Sequence, residues 1–443
     1  MPDAFVFALA ATLVVLVATL LIDPAARRSP GLLIDAWGNG FWTLIAFTLQ
    51  MTMIIIGGYV VASAPPVMRL IGWLAAWPRS SKAGVLLVAL AAMVTSLFNW
   101  GFSLIFGAML AREVARRLPS ADYRALGAAS FLGLGSVWAQ GLSGSAALQM
   151  ARRASMPPRL VEMLGGVIPL TQTIFRWQSL VAVVVEIAVV AAVMWLYTPG
   201  EGRGRSAADL GVTLAPVEPV VRQVAQRPGE RADHSPYLLL LVVALGFAYL
   251  VRVVVARATS VAEALNALDF NTINLFLLMV GALLHRTPAS LMKAVGDATP
   301  ATWGVLLQFP FYGGIFGIMT GTGLSAAIAS LFVRASNATV YPAMIVAYSA
   351  VLGIFVPSGG SKWVIEAPYV LEAARALQVP DGWMVVTYNL GEAIANLLQP
   401  FWMLPILALL GLRARDIMGY TYLVALVLLP VVLVLVTLLR PAM

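Results

Sequence analysis

Lys362 and Glu392 set full charges inside runs of apolar residues, and Glu366 and Glu186 do the same. A charge held out of water is costly, so it faces a cavity or a partner of opposite sign. Three roles follow for Lys362: a counter-ion for a bound anion, a stand-in for a coupling cation, or a structural pair with Glu366 or Glu392. Glu392 lies in Asn389-Leu390-Gly391-Glu392, with Asn396 and Gln399 following at helical spacing. A carboxyl in a dry place can hold and hand on a proton. Glu186 reads equally as a solvated or an inter-helix polar group and is given no role. Before Lys362 runs Pro357-Ser358-Gly359-Gly360-Ser361, and Asn99-Trp100-Gly101-Phe102-Ser103 is a second string of this kind. Backbone N–H groups exposed at a helix start, aided by the helix dipole, hold an anion such as a carboxylate. Glycine lets that backbone come close. Gly101, Gly359 and Gly360 are therefore candidate binding residues, with Asn99, Ser103, Ser358, Ser361 and Lys362 adding side-chain donors. The competing reading is that Gly and Ser only let helices pack closely in lipid. Gln50, Gln140, Gln308, Asn389, Asn396 and Gln399 either line a cavity or hydrogen-bond helices together.

Covalent chemistry has little to work with. The chain has no cysteine, which excludes thiolate chemistry and Cys metal sites. Of its two histidines, His234 lies in a polar stretch and His285 ends an apolar run, and there is no His-Glu-x-x-His. No metal, no cofactor and no enzyme activity are expected.

The elements that must position these residues are set by composition. Of 443 residues 60% are hydrophobic and 11% charged, with a mean hydropathy of +0.89. A soluble domain carries about 25% charged residues. A water-soluble enzyme, a disordered chain and a nucleic-acid binder are excluded, and a polytopic all-α membrane protein remains. The net charge of +8 comes mostly from basic residues between apolar runs, where they act as topology signals. The N-terminus, with Asp3, lacks the basic region of a signal peptide, so 5–22 reads as a retained span.

Nine candidate spans follow: 5–22, 40–63, 126–148, 178–197, 237–255, 270–285, 301–325, 382–410 and 419–438. Two further regions, about 83–117 and about 338–377, pair short apolar arms around a Gly-rich polar tip. Arms of about 15 residues reach roughly 22 Å, short of the ~30 Å hydrocarbon core. The spacing predicts two re-entrant helical hairpins, against the alternative of a kinked helix. Residues 199–236 form a flexible polar linker, and 237–256 an extra transmembrane helix.

The chain also repeats itself. Shifting 98–140 forward by 259 positions gives 8 identities in 43, among them Gly101 on Gly360, Asp122 on Asp381 and Gln140 on Gln399. At nearly the same offset Gln50 meets Gln308. Residues 1–198 and 257–443 then read as two repeats, each with two spans, a hairpin, a broken span and a span. Placing the N-terminus in the cytoplasm puts 16 Lys and Arg inside and 10 outside, Arg257 among the latter. That excess favours N-in and C-out, which makes the repeats inverted.

Asn99-Trp100-Gly101-Phe102, Ala111-Arg112-Glu113-Val114-Ala115-Arg116-Arg117, Val356-Pro357-Ser358-Gly359-Gly360 and Gln399-Pro400-Phe401-Trp402 resemble the bacterial short-chain fatty acid transporter family. Leu284-His285, Gln308-Phe309-Pro310-Phe311-Tyr312 and Asp416-Ile417-Met418-Gly419-Tyr420 fit the same pattern, so the resemblance spans nearly the whole chain. It implies uptake of small monocarboxylates such as acetoacetate and butyrate across the bacterial inner membrane. It also implies membership of the ion-transporter superfamily, with scaffold and transport domains, opposed hairpins, an elevator motion and a homodimer. Lys362 departs from the pattern, since the family often carries a neutral or titratable side chain there. The expected function is a secondary active importer coupled to H+ or Na+, with Glu392 as the proton carrier. A small-anion channel, or a carrier of another organic anion on the same fold, is the alternative.

Overall fold

The structure is a computed structural model that describes residues 4–214, 228–256 and 258–441. The first three residues, linker residues 215–227, Arg257 of the charge count and residues 442–443 lie outside the described residues.

Every regular element among the described residues is helical. Among the described residues six helices are long and apolar enough to cross a membrane: 31–62, 123–150, 177–197, 229–255, 303–321 and 414–438. Asp381–Leu398 and Phe401–Leu410 are long and apolar enough only together, bent by 70° at their break, as one broken span or a re-entrant loop. Of the remaining expected spans, 5–22 and 270–285 correspond to Ala4–Ile22 and Phe270–His285. The exposed large side chains include many aliphatic ones, such as Val14, Leu21, Val184, Leu245, Leu426 and Leu438, and aromatic ones such as Trp42, Trp177 and Tyr237. Water would not tolerate such a belt, whereas lipid solvates it.

Both Gly-rich regions are helical hairpins. Ser81–Ser96 and Trp100–Arg117 run antiparallel around a three-residue break, with the Ser103 hydroxyl donating to the Ala92 carbonyl at 2.7 Å. Tyr341–Phe355 and Gly359–Ala376 do the same around Val356-Pro357-Ser358. There the Tyr341 hydroxyl donates to the Val370 carbonyl at 2.8 Å. Pro357 lacks the N–H that would continue the helix, and Ser358 is extended, at φ −151° and ψ 104°.

Each hairpin is followed by a broken span. Tyr123–Leu132 widens into a π turn at Gly133–Val137 and tightens in a 3-10 turn at Trp138–Gln140, and the α-helix resumes at Ser145–Met150. Asp381–Leu398 stops at Gln399, which is extended because Pro400 follows. The breaks therefore fall at Gln140 and Gln399, the two positions that the 259-residue shift superposes. The two broken spans touch at their middles. Asn389 Nδ2 donates to the Ala139 carbonyl at 2.8 Å and Asn396 Nδ2 to the Leu134 carbonyl at 3.2 Å. These side chains satisfy carbonyls that the irregular turns leave without helical partners.

The described part of the 199–236 linker is anchored. Buried Asp122 caps the helix that begins at Tyr123, accepts from the Arg205 N–H at 3.0 Å and pairs with Arg124 at 3.0 Å. The Tyr123 N–H in turn donates to the Arg205 carbonyl at 2.8 Å. A flexible connection was expected over this stretch. Its N-terminal part is instead held by one carboxylate that serves both a helix cap and the linker backbone.

Candidate functional site

The hairpin tips meet in the middle of the fold. Trp100 of the first tip and Ser358, Gly359 and Gly360 of the second line one cavity, closed further by Trp138, Phe309 and Trp402. Its volume is about 20 Å³, room for roughly one water. The Trp100 and Trp402 rings stand edge to face at 5.0 Å, and the Trp402 indole donates to the Pro357 carbonyl at 2.9 Å. The Tyr388 hydroxyl donates to the Gly359 carbonyl at 2.6 Å. These two bonds fix the second tip from outside its own hairpin.

Glycine is required at the second tip by contact. A Cβ on Gly359 would lie 2.6 Å from the Trp138 ring, and one on Gly360 would lie 2.0 Å from the Phe47 ring. The Gly359, Gly360 and Ser361 N–H groups belong to the first turn, which has no carbonyl four residues back to receive them. Ser358 and Ser361 bond each other through their hydroxyls.

The first tip spends its donors differently. Asn99 Oδ1 caps the Phe102 N–H at 2.6 Å, and the Ser103 hydroxyl is committed to Ala92. Gly101 sits against the Ile54 carbonyl, 3.2 Å from the place a Cβ would take. Asn99, Gly101 and Ser103 thus shape the tip, and it is Trp100 among them that reaches the cavity.

Lys362 does not line the cavity. Its fully buried ammonium lies 2.6 Å from Glu392 Oε2 and 3.6 Å from Glu366 Oε1. It donates to the Ser349 carbonyl at 2.7 Å and hydroxyl at 2.8 Å, across the hairpin, and sits 4.9 Å from the Tyr388 ring. Gly353 makes the room, since a Cβ there would stand 2.9 Å from Glu392 Oε2. The cluster holds one ammonium and two carboxylates. Apart from these contacts with Lys362, the four carboxylate oxygens accept no hydrogen bond from the described residues.

The amides act mostly as joints. Gln50 Nε2 donates to Asn271 Oδ1 at 3.0 Å, and Asn274 donates to the Gln50 carbonyl, tying 45–62 to 270–285. Gln399 Nε2 donates to Asn396 and its Oε1 accepts from the Phe401 N–H at 2.6 Å, closing the break. Gln308 Oε1 accepts from the Tyr312 hydroxyl. Gln140 Nε2 donates to buried Glu186 at 2.8 Å. His285 spans Val60 and Ser290. No group of three His, Cys, Asp or Glu among the described residues could hold a metal.

Sequence reasoning missed the aromatic walls. Trp100 and Trp402 stood inside quoted strings but were passed over for their small neighbours. Trp138 carried no local signal, because its place comes from the break two residues before Gln140.

Two solved structures share the fold. The YdaH transporter of Alcanivorax borkumensis matches with a TM-score of 0.59 at 15% identity, over 99% of this chain and 100% of that one. MtrF of Neisseria gonorrhoeae, whose structure is described as illuminating a class of antimetabolite efflux pumps, matches with a TM-score of 0.56 at 11% identity, over 98% and 95%. A protein of Escherichia coli (strain K12) named for short-chain fatty acid transport is 37% identical over 95% of this chain and 92% of its own length. One of Haemophilus influenzae (strain ATCC 51907 / DSM 11121 / KW20 / Rd) with the same name is 32% identical over the same shares. The family model described as "Short chain fatty acid transporter" matches residues 1–439. The chain belongs to the short-chain fatty acid transporter family, a family of multi-pass membrane transporters and not of enzymes.

Proposed function

We propose that the chain is a secondary active importer of short monocarboxylates such as butyrate and acetoacetate, in the bacterial inner membrane, with the carboxylate held between the hairpin tips. The observation that carries this reading is the convergence of the two tips on one small cavity walled by Trp100, Trp138 and Trp402. Free first-turn N–H groups at Gly359 and Gly360 suit the carboxylate, and the indoles suit a short alkyl tail. The cavity has room for about one water, so this conformation is occluded and opens by motion. A standing channel would need a wider path.

The two halves act as inverted repeats, with nine spans, two re-entrant hairpins, an N-terminus inside and a C-terminus outside. The matched breaks at Gln140 and Gln399 support this. Hairpins and broken spans move together as the transport domain against a scaffold, in elevator fashion and within a homodimer. Of the long apolar spans, 123–150 holds the most enclosed 18-residue stretch, 89% buried, while that of 229–255 is 11% buried and faces lipid. Coupling is to H+, with Na+ the second possibility, because Lys362 offsets one of the two carboxylates Glu366 and Glu392 and leaves the other to a proton or a cation. Lys362 serves as the fixed counter-charge of that site.

Uptake of labelled butyrate and acetoacetate into proteoliposomes, with pH and Na+ gradients imposed in turn, tests this. Accumulation under a pH gradient is expected. Accumulation only with Na+ would move the coupling role to a cation, and none under either would remove the substrate assignment.

A further inference from the structure

Glu186 is a buried carboxyl that the mechanism above leaves unused. It is the tenth residue of Trp177–Tyr197 and is 1% exposed. That helix packs on 81–96, on 123–132, on the turns 133–137 and 138–140, and on 414–438. The titratable groups on those elements are Lys82, Tyr123, Arg124, Arg415, Asp416, Tyr420 and Tyr422. They gather at the linker end: Lys82 lies over the Trp195 ring, and Arg124 pairs with Asp122 beside Arg205. The turns 133–137 and 138–140 carry no titratable side chain. No cation pairs with Glu186 among the described residues.

Its one hydrogen-bond partner adds a second observation. Gln140 is 3% exposed, and its Nε2 donates to Glu186 Oε1 at 2.8 Å. Gln140 Oε1 is buried and receives no donor. A protonated Glu186 supplies that donor: amide N–H to acid C=O, acid O–H back to amide C=O. An ionised Glu186 would instead leave a bare charge beside an unsatisfied amide oxygen. Gln140 ends the turn that begins at Trp138, whose ring walls the tip cavity against Gly359. Ala139, between them, holds Asn389 of the helix that carries Glu392.

We propose that Glu186 is a second proton-carrying carboxyl, joined by Gln140 to the turn that walls the substrate cavity, so that movement of this turn in the transport cycle breaks the acid–amide pair and releases the proton. The proton arrives from the water on the side of high H+ and leaves to the water on the other. The inference rests on the transport reading and adds one proton per cycle to the one held by the Lys362 cluster.

Two measurements on the full chain in liposomes test it. Infrared spectroscopy of wild type at neutral pH should show a protonated-carboxyl band that Glu186→Gln lacks. In uptake, Glu186→Gln should keep butyrate exchange and lower the H+ to butyrate ratio by one. Gln140→Met, which leaves the carboxyl in place, should shift the pH of half-maximal uptake. An infrared spectrum unchanged by Glu186→Gln would overturn the proposal. So would a lost band with an unchanged ratio, since Glu186 would then be a permanent structural acid. Absence of any wild-type uptake would strike the transport reading instead, and the infrared result would stand apart from it.

Discussion

In the first hairpin, position 103 ties the arms through a serine hydroxyl given to the Ala92 carbonyl at 2.7 Å. In the second, position 362 ties them through a lysine ammonium given to the Ser349 carbonyl at the same distance. The two positions are 259 apart, as are Gly133 and Glu392. Each pair is also in contact: a Cβ on Gly133 would lie 2.6 Å from Ser103 Oγ, and Lys362 lies 2.6 Å from Glu392. The same joint is neutral and tightly closed in one half, and charged in the other. A neutral joint braces a hairpin whatever the pH. A charged joint with one carboxylate in excess responds to protons or cations. On the proposed function, the neutral joint braces the first hairpin, and the charged joint of the second is the one of the two that can answer to protons or cations.

The largest expected effect comes from breaking the charged joint. Lys362→Met leaves two buried carboxylates without their cation and should cost about 3–5 kcal/mol, read as a fall in Tm of the purified protein. Lys362→Met with Glu392→Gln should recover part of that loss, because both changes act on one pair. Glu392→Gln alone should preserve butyrate exchange and weaken the pH-gradient drive by the proton that the Lys362 cluster holds. A drive as strong as that of wild type would take the coupling role from Glu392.

The tips give the next contrast. Gly360→Ala forces a methyl into the Phe47 ring and should raise the butyrate KM at least tenfold. Gly101→Ala meets the Ile54 carbonyl at 3.2 Å and should change KM by no more than a few fold. Equal effects would make the tips equivalent. Ser103→Ala, in the neutral joint, should cost about 1 kcal/mol, with the pH profile of uptake unchanged.

Much of this frame was legible because glycine and proline mark helix breaks by backbone geometry alone. Pro357, Gly359 and Gly360 marked the second tip, while the Gln140–Gln399 match carried the repeat but not the places where the two spans break. Partner choice was less legible. Among the roles open to Lys362, nothing local favoured Glu392, 30 residues away on another helix, over the cavity. The anchoring of the linker at Arg205 was illegible for the same reason, since Asp122 reaches it across 83 residues.

The smallest effect lies far from both joints. Asp23 accepts from the Gly323 N–H at 2.9 Å, and that bond, with the Ala25 N–H, holds its carboxyl below the usual range. A depressed carboxylate stabilises above its unfolded range and loses that contribution as pH falls through the folded one. Asp23→Asn should therefore lower Tm slightly at neutral pH and not at all in acid.

The absence of cysteine from the chain allows the most direct test of the central claim, that the tips hold the substrate. Ser358→Cys lines the cavity and Ser103→Cys does not. Modification by a small thiol reagent should be slowed several-fold by butyrate at Ser358→Cys and left unchanged at Ser103→Cys. A rate at Ser358→Cys that ignores butyrate at concentrations saturating transport would place the carboxylate elsewhere.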